Sequence, residues 1–183
     1  AGEVRDRKVV EVSSRRYWSV PPFVDGEPGL IEDLEERLRS SVALQLHADV
    51  PVGAFLSGGI DSSLVVALAS EMTDSLKTFT IGFEDDRFDE STFASRVSQH
   101  LGTDHTMMRV TARDALDIVP RLGDIYDEPF ADHSAIPTRL LAGLARDQVT
   151  VALTGDGGDE LFCGYDRYQW IDRTSRLGHL PAW

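Results

Sequence analysis

The chain has 183 residues, 42% hydrophobic and 27% charged, which suits one ordinary globular α/β domain with room for a buried core. Its 31 acidic against 18 basic residues leave a net charge of −13, excluding a non-specific nucleic-acid binder, which needs a positive footprint. The single cysteine, Cys163, excludes an internal disulfide and any multi-cysteine metal site. No apolar run approaches the roughly 20 residues that cross a bilayer, and the opening "AGEVRDRKVVEVSSRRYW" is charged where a signal peptide is apolar. The expectation is a cytoplasmic protein that binds neither membrane nor nucleic acid.

In chain order, residues 1–27 read as an arm or linker, with "YWSVPP" and "DGEPG" marking a turn-rich join. From Leu30 the pattern turns helical, as Leu30, Leu34, Leu38, Val42 and Leu46 recur every four residues. "VGAFL" (52–56) predicts a short apolar strand and "SLVVALASEM" (63–72) a helix behind a glycine turn. "KTFTIGF" (77–83) and "HTMMRV" (105–110) predict strands on either side of a helix over 89–101, which Gly102 ends. A helical stretch interrupted by Pro120 follows, then a helix over 134–147 and a β-branched strand, "VTVALT" (149–154). Strands alternating with helices predict βαβ units: a doubly wound parallel sheet with helices on both faces.

Two glycine-rich turns follow strands, "LSGGIDSS" after the first and "LTGDGGDE" after the fourth. In open α/β sheets ligands bind beyond the carboxyl ends of the strands, where strand order reverses, so neighbouring first and fourth strands would put both turns on one crevice. Gly58 and Gly59 let backbone N–H groups approach an anion, Ser57, Ser62 and Ser63 add hydroxyls, and the next helix offers its positive end. Asp61 is foreign to a phosphate cradle unless it holds Mg²⁺, with Asp159 of the second loop as the opposite carboxylate. The plain structural alternatives are a tight turn with Asp61 or Ser62 as helix N-cap, and an acidic surface turn.

Together with "TFTIGFEDDRFDE", "HLGTDH", "DEPFADHSAIPT" and "LTGDGGDELFCGYDRY", the "SGGIDSS" turn resembles the synthetase domain of glutamine-dependent asparagine synthetases, members of the N-type (PP-loop) ATP pyrophosphatases. The resemblance runs in order from about Tyr17 to Tyr168. It implies the adenine nucleotide alpha hydrolase-like fold, and a reaction in which a carboxylate attacks the α-phosphorus of ATP, pyrophosphate leaves, and ammonia displaces AMP to form an amide. It also explains why the turn lacks a P-loop lysine: it would cradle a departing pyrophosphate.

The same resemblance implies that Ser57, Gly58, Gly59, Ser62 and Ser63 grip pyrophosphate, and that Asp61 and Asp159 bind Mg²⁺. Phe55, Leu56, Ile81, Thr154 and Gly155 then contact the adenosine, largely through backbone. Ser57, Asp61 and Asp156 are the expected catalytic residues. Asp156 stands where well-known bacterial asparagine synthetases carry a glutamate proposed to help deprotonate ammonia, Thr154 where serine is common, and Cys163 where glycine is common. Asp132, Ser134 and Thr138 are expected along the acceptor pocket, His133 in a structural role, Pro129 and Pro137 as shaping the loop, and Cys163 as a small apolar filler.

The expected domain is 28–183, cut short at its C-terminus before a helical extension bearing a phosphate-neutralising lysine. The glutaminase half, whose N-terminal cysteine this chain lacks, is expected in the parent protein. The partners implied are ATP, aspartate or another carboxylate, and ammonia; a homodimer is left open. Three readings compete with aspartate amidation: a related amidotransferase or cyclase acting on another carboxylate; tRNA thiolation or NAD or GMP synthesis; and a non-catalytic nucleotide-binding domain. The second group shares the SGGxDS loop, but thiolation wants more cysteines and a basic RNA-binding face.

Overall fold

Four parallel strands carry the architecture: β1 (Val52–Phe55), β2 (Lys77–Phe83), β3 (Asp104–Val110) and β4 (Val151–Leu153), in the order β3-β2-β1-β4. The computed structural model describes residues 14–19, 29–85, 87, 89–126, 128 and 131–175. The stretch read as an arm therefore lies outside the described residues, apart from 14–19, which are exposed and irregular.

Parallel strands cannot be joined by a tight hairpin, so each connection carries a helix. α1 (Leu30–Leu46) precedes the sheet, α2 (Ile60–Ser70) links β1 to β2, and α3 (Ser91–Leu101) links β2 to β3. Between β3 and β4 the chain passes through α4 (Ala112–Ile118), a 3-10 turn at Val119–Arg121, α5 (Leu122–Ile125) and α6 (Ala135–Arg146). Pro120 sits at the start of that turn, which accounts for the interruption expected there. Thr111 opens α4 with a reciprocal capping box: its hydroxyl accepts from the Asp114 N–H while the Asp114 carboxylate accepts from the Thr111 N–H.

The helices cover both faces. On one, Ala54, Leu56 and Leu153 pack with Val42 of α1, Val66, Leu68 and Ala69 of α2, and Ala94 of α3. On the other, Phe55 and Phe79 pack against Leu141, Leu144 and Ala145 of α6. The alternation of Ala54 and Phe55 between these clusters is the period-two rule of a strand, with each neighbour serving a different core.

The elements differ from the sequence expectation by one or two residues at several ends, and by more in three places. α2 begins at Ile60 rather than Ser63, because Gly59 takes extended backbone (φ −70°, ψ 167°) and is itself the N-cap, not Asp61 or Ser62. β4 has three residues, since the N–H groups of Thr150 and Val151 both reach the Pro51 carbonyl and Thr154 already bends into the next loop. Two helices were not foreseen, α7 (Gly158–Phe162) and α8 (Asp166–Ser175). Among the described residues no helix is long and apolar enough to cross a membrane.

β1 is the hinge of the topology. Ala54 pairs with Thr78 of β2 on one side and with Leu153 of β4 on the other. The chain moves from β1 outward through β2 to β3, then crosses back to lay β4 on the opposite flank of β1. Strand order therefore reverses between β1 and β4, where such sheets bind ligands.

Candidate active site

The first turn is built on a left-handed glycine. Gly58 has φ 84°, and a Cβ there would lie 2.6 Å from the Ala94 N and 2.7 Å from the Phe93 Cβ, so both backbone conformation and contact with α3 require its bare backbone. Around it the polar groups bond to one another. The Gly59 N–H donates to Ser57 Oγ (3.2 Å), the Ser57 N–H to Ser62 Oγ (3.2 Å), and Ser62 Oγ to the Gly59 carbonyl (3.3 Å). With the Ser62 proton so placed, Ser57 Oγ is the donor across its 2.9 Å contact with Ser62 Oγ. The turn is thus held by its own hydrogen bonds, and its hydroxyls can rotate toward a ligand. The Ser63 Oγ is buried without a partner among the described residues.

The second loop closes directly onto the first. A Cβ on Gly155 would stand 2.8 Å from the Ser62 N, and one on Gly158 would collide with the Asp61 carboxylate. Only glycine at these positions lets the loop lie against Asp61. Gly157, left-handed at φ 93°, caps α7, which carries Asp159 and Glu160 in its first turn.

Both loops line one cavity of about 700 Å³. Of the residues singled out in the sequence, Phe55, Leu56, Ser57, Gly59, Asp61 and Ser62 reach it from the first loop. Ile81 reaches it from β2, and Thr154, Gly155, Asp156 and Asp159 from the second loop. Gly58 and Ser63 do not; they face a groove between α2 and α3. Thr138 lines the cavity from α6, whereas Asp132 and Ser134 do not. Asp132 instead accepts from the Ser134 N–H at 2.8 Å, and these bonds from Ser134 hold its carboxyl below the usual range. The His133 side chain is fully exposed, and Pro129 lies outside the described residues.

The sequence reading assigned no part to Thr80, Phe83, Glu90, Leu141 or Phe162, all of which line the cavity. Glu90 was within reach: it follows β2, the neighbour of β1, so the strand-end rule that picked the two glycine loops applies to it also. Cys163 corrects an expectation. It is no buried filler but an exposed residue in left-handed backbone (φ 58°) closing α7, a place that glycine fills without strain.

Beyond it, Tyr165 donates to Glu160 at 2.7 Å, and the Arg167 guanidinium stacks 4.1 Å over the Tyr165 ring. That bond holds the Glu160 carboxyl low and pushes the Tyr165 phenol up to about 12.

Charge decides what the cavity admits. Asp61, Glu90, Asp156 and Asp159 line it, and among the described lining residues there is no lysine or arginine. A bare polyphosphate would be repelled, whereas a cation between phosphate and carboxylates removes the conflict. Among the described residues no three His, Cys, Asp or Glu side chains form a ready-made cage. A pair of carboxylates is the donor set that suits Mg²⁺, which takes one or two from protein and the rest from phosphates and water. The carboxylates of Asp61 and Asp159 have no hydrogen-bond or ion-pair partner among the described residues, so both are available. Toward the sheet the lining turns apolar, with Phe55, Leu56, Ile81 and Leu141, as a planar base requires.

Comparison with known proteins agrees with this architecture. The chain is 42% identical over 159 residues to a putative glutamine-hydrolysing asparagine synthetase of Methanocaldococcus jannaschii, covering 85% of this chain and 31% of that protein. It is 40% identical over 161 residues to asparagine synthetase 1 of Bacillus subtilis, covering 87% and 26% respectively. The chain thus spans about a quarter to a third of the length of these relatives. Among solved structures, a glutamine-dependent NAD⁺ synthetase from Acinetobacter baumannii, in complex with ADP, superposes with a TM-score of 0.54. At 20% identity, over 78% of this chain and 29% of that one, it shows a shared fold. The asparagine synthase family model matches residues 33–182 in a single span, and the chain belongs to that family.

Proposed function

We propose that this domain adenylates the side-chain carboxylate of aspartate at the expense of ATP, releasing pyrophosphate, and that ammonia then displaces AMP to give asparagine. The observation that carries the reading is the joint wall at the β1–β4 reversal, where Asp61 lies against Gly158, beside Asp159, in a cavity lined by carboxylates and, among the described residues, by no basic one. In this reading the "SGGIDSS" turn receives the departing pyrophosphate through the first-turn N–H groups of α2 and the hydroxyls of Ser57 and Ser62, which line the cavity and can turn toward it. Ser63 joins it only through its place in the first turn of that helix. Asp61 and Asp159 would hold Mg²⁺. When bound, Mg²⁺ neutralises phosphate charge and stabilises the leaving group.

The chain's own residues supply orientation. Phe55, Leu56, Ile81, Thr154 and Gly155 fix the adenosine beside the sheet, and Thr138 faces the acceptor across the cavity. Asp156 takes a proton from the incoming ammonia. The names of the relatives support glutamine as its source, through a glutaminase domain in the longer protein.

The test is acceptor-dependent exchange of labelled pyrophosphate into ATP, using the full-length protein and its Asp61→Asn variant with Mg²⁺ present. The expected result is exchange that requires aspartate and falls about 100-fold or more in the variant, the scale set by losing one charge-stabilising group. Exchange with a different carboxylate alone would keep the chemistry and reassign the acceptor. A folded protein that binds ATP and exchanges with no acceptor would instead be a nucleotide-binding module.

A further inference from the structure

The second loop contains a contact that the proposed reaction does not by itself require. Thr154 Oγ1 donates to Asp156 Oδ2 at 2.9 Å, and the Asp156 N–H donates back to Thr154 Oγ1 at 3.3 Å. The hydroxyl has one proton, and it is committed to the carboxylate; one lone pair is committed to the N–H. Thr154 is in turn fixed by the strand before it, since Leu153 pairs with Ala54 in the sheet and is buried.

The four carboxylates that line the cavity are therefore not equivalent. Among the described residues those of Asp61, Glu90 and Asp159 accept no hydrogen bond from another side chain, whereas that of Asp156 is held by a hydroxyl. A metal-binding carboxylate gains from being free to turn both oxygens toward the ion. A carboxylate that must take a proton from one direction gains from being fixed.

We infer that Thr154 is a positioning residue for Asp156, its hydroxyl holding Oδ2 so that Oδ1 is the oxygen left to accept a proton from the nitrogen nucleophile. The inference rests on the ligase reading above and deepens it. In the step concerned, the nitrogen of ammonia forms a bond to the acyl carbon, the bond from that carbon to the AMP oxygen breaks, and AMP leaves with the electron pair. The proton shed by nitrogen passes to Asp156 Oδ1. The shape of Thr154 serves the same end: its branched Cβ restricts the side chain to few rotamers, so the hydroxyl waits in place.

The test compares two activities of each full-length protein preparation: pyrophosphate exchange, which reports adenylation, and ammonia-dependent amide formation, which also needs the proton removed. Their ratio is the readout, because a merely structural lesion lowers both together. Thr154→Val keeps the branch and removes the hydroxyl; the expected ratio falls about 10-fold, part of what general-base catalysis contributes. Thr154→Ser returns the hydroxyl and should bring the ratio back to within about 2-fold, as expected if one hydrogen bond carries the effect.

Asp156→Asn lowers the ratio at least as far, and adding Thr154→Val to it lowers the ratio no further, since residues acting as a unit are not additive. An unchanged ratio in Thr154→Val, a failed rescue by serine, or fully additive losses would each overturn the inference while leaving the ligase reading standing. Absence of exchange in the unmodified protein with every acceptor would remove both.

Discussion

Cys163 is the residue whose local physics runs most plainly against its side chain. Its φ of 58° places a Cβ where a left-handed conformation crowds the backbone, at roughly 1–2 kcal/mol for an L-residue. It closes α7, and the Gly164 N–H donates to the Asp159 carbonyl at 3.0 Å, so the turn that shapes this helix is the turn that places Asp159. Cys163→Gly should therefore raise stability by about 1 kcal/mol, seen as a higher unfolding midpoint in a urea titration. A midpoint that falls would mean that the thiol makes a contact worth more than the strain it brings. The sequence marked this position as unusual but assigned the wrong reason. The resemblance implies that a cysteine stands where glycine is common; only the backbone angle shows that the consequence is conformational.

At the scale of elements, the sequence was most informative where hydrophobic pattern and β-branching coincide. β2 spans the residues expected, Lys77–Phe83, and α1 the expected Leu30–Leu46. α7 was illegible because "GGDELF" reads as a turn by composition, whereas in the fold Gly158, its first residue, lies against Asp61 where a Cβ would collide. α8 carries no apolar stripe that a periodicity test would find: Trp170 and Ile171 are adjacent in sequence and both exposed.

Polar bonds between elements were equally hidden. Thr103 Oγ1 donates to Ser98 Oγ at 3.0 Å, so Thr78 Oγ1 donates to Thr103 and is left to accept from His105 Nδ1 at 2.9 Å. The chain ties α3, β2 and β3 together and fixes the imidazole as the Nδ1–H tautomer, with its bare Nε2 buried and without a partner among the described residues.

Burial lowers the His105 pKa below the ordinary imidazole value. Because the folded value lies below the unfolded one, the unfolded chain takes up the proton first as pH falls. The stability that His105 contributes is therefore complete above about pH 6.5 and is lost from there down through its lowered folded pKa. Urea midpoints compared near pH 8 and pH 5 should fall more in the native protein than in His105→Asn. Equal losses in the two would show that another group governs this range.

Over the whole molecule, the site is a product of topology. Neither glycine loop is complete alone: the first supplies donors and Asp61, the second supplies Asp156 and Asp159, and nearly 90 residues of chain separate them. What unites them is the parallel pairing of β1 with β4 after the chain has wound out to β3 and back. The alternation of strands and helices made such a sheet legible, and the strand-end rule pointed to both loops. The order of the strands, which decides whether the loops meet, lies in packing between distant segments and had to come from the structure.

The central claim is that this crevice directs an acceptor carboxylate onto the α-phosphorus of ATP. The most direct measurement supplies aspartate labelled with ¹⁸O in its side-chain carboxylate to the full-length protein, with ATP, Mg²⁺ and ammonia, and follows the label by mass spectrometry. Attack by the carboxylate leaves one of its oxygens on phosphorus when the amide forms, so the account predicts AMP carrying one ¹⁸O for each asparagine made. AMP without label would assign the attack to water, and ADP with labelled phosphate would move it to the γ-phosphorus; either result would contradict the account.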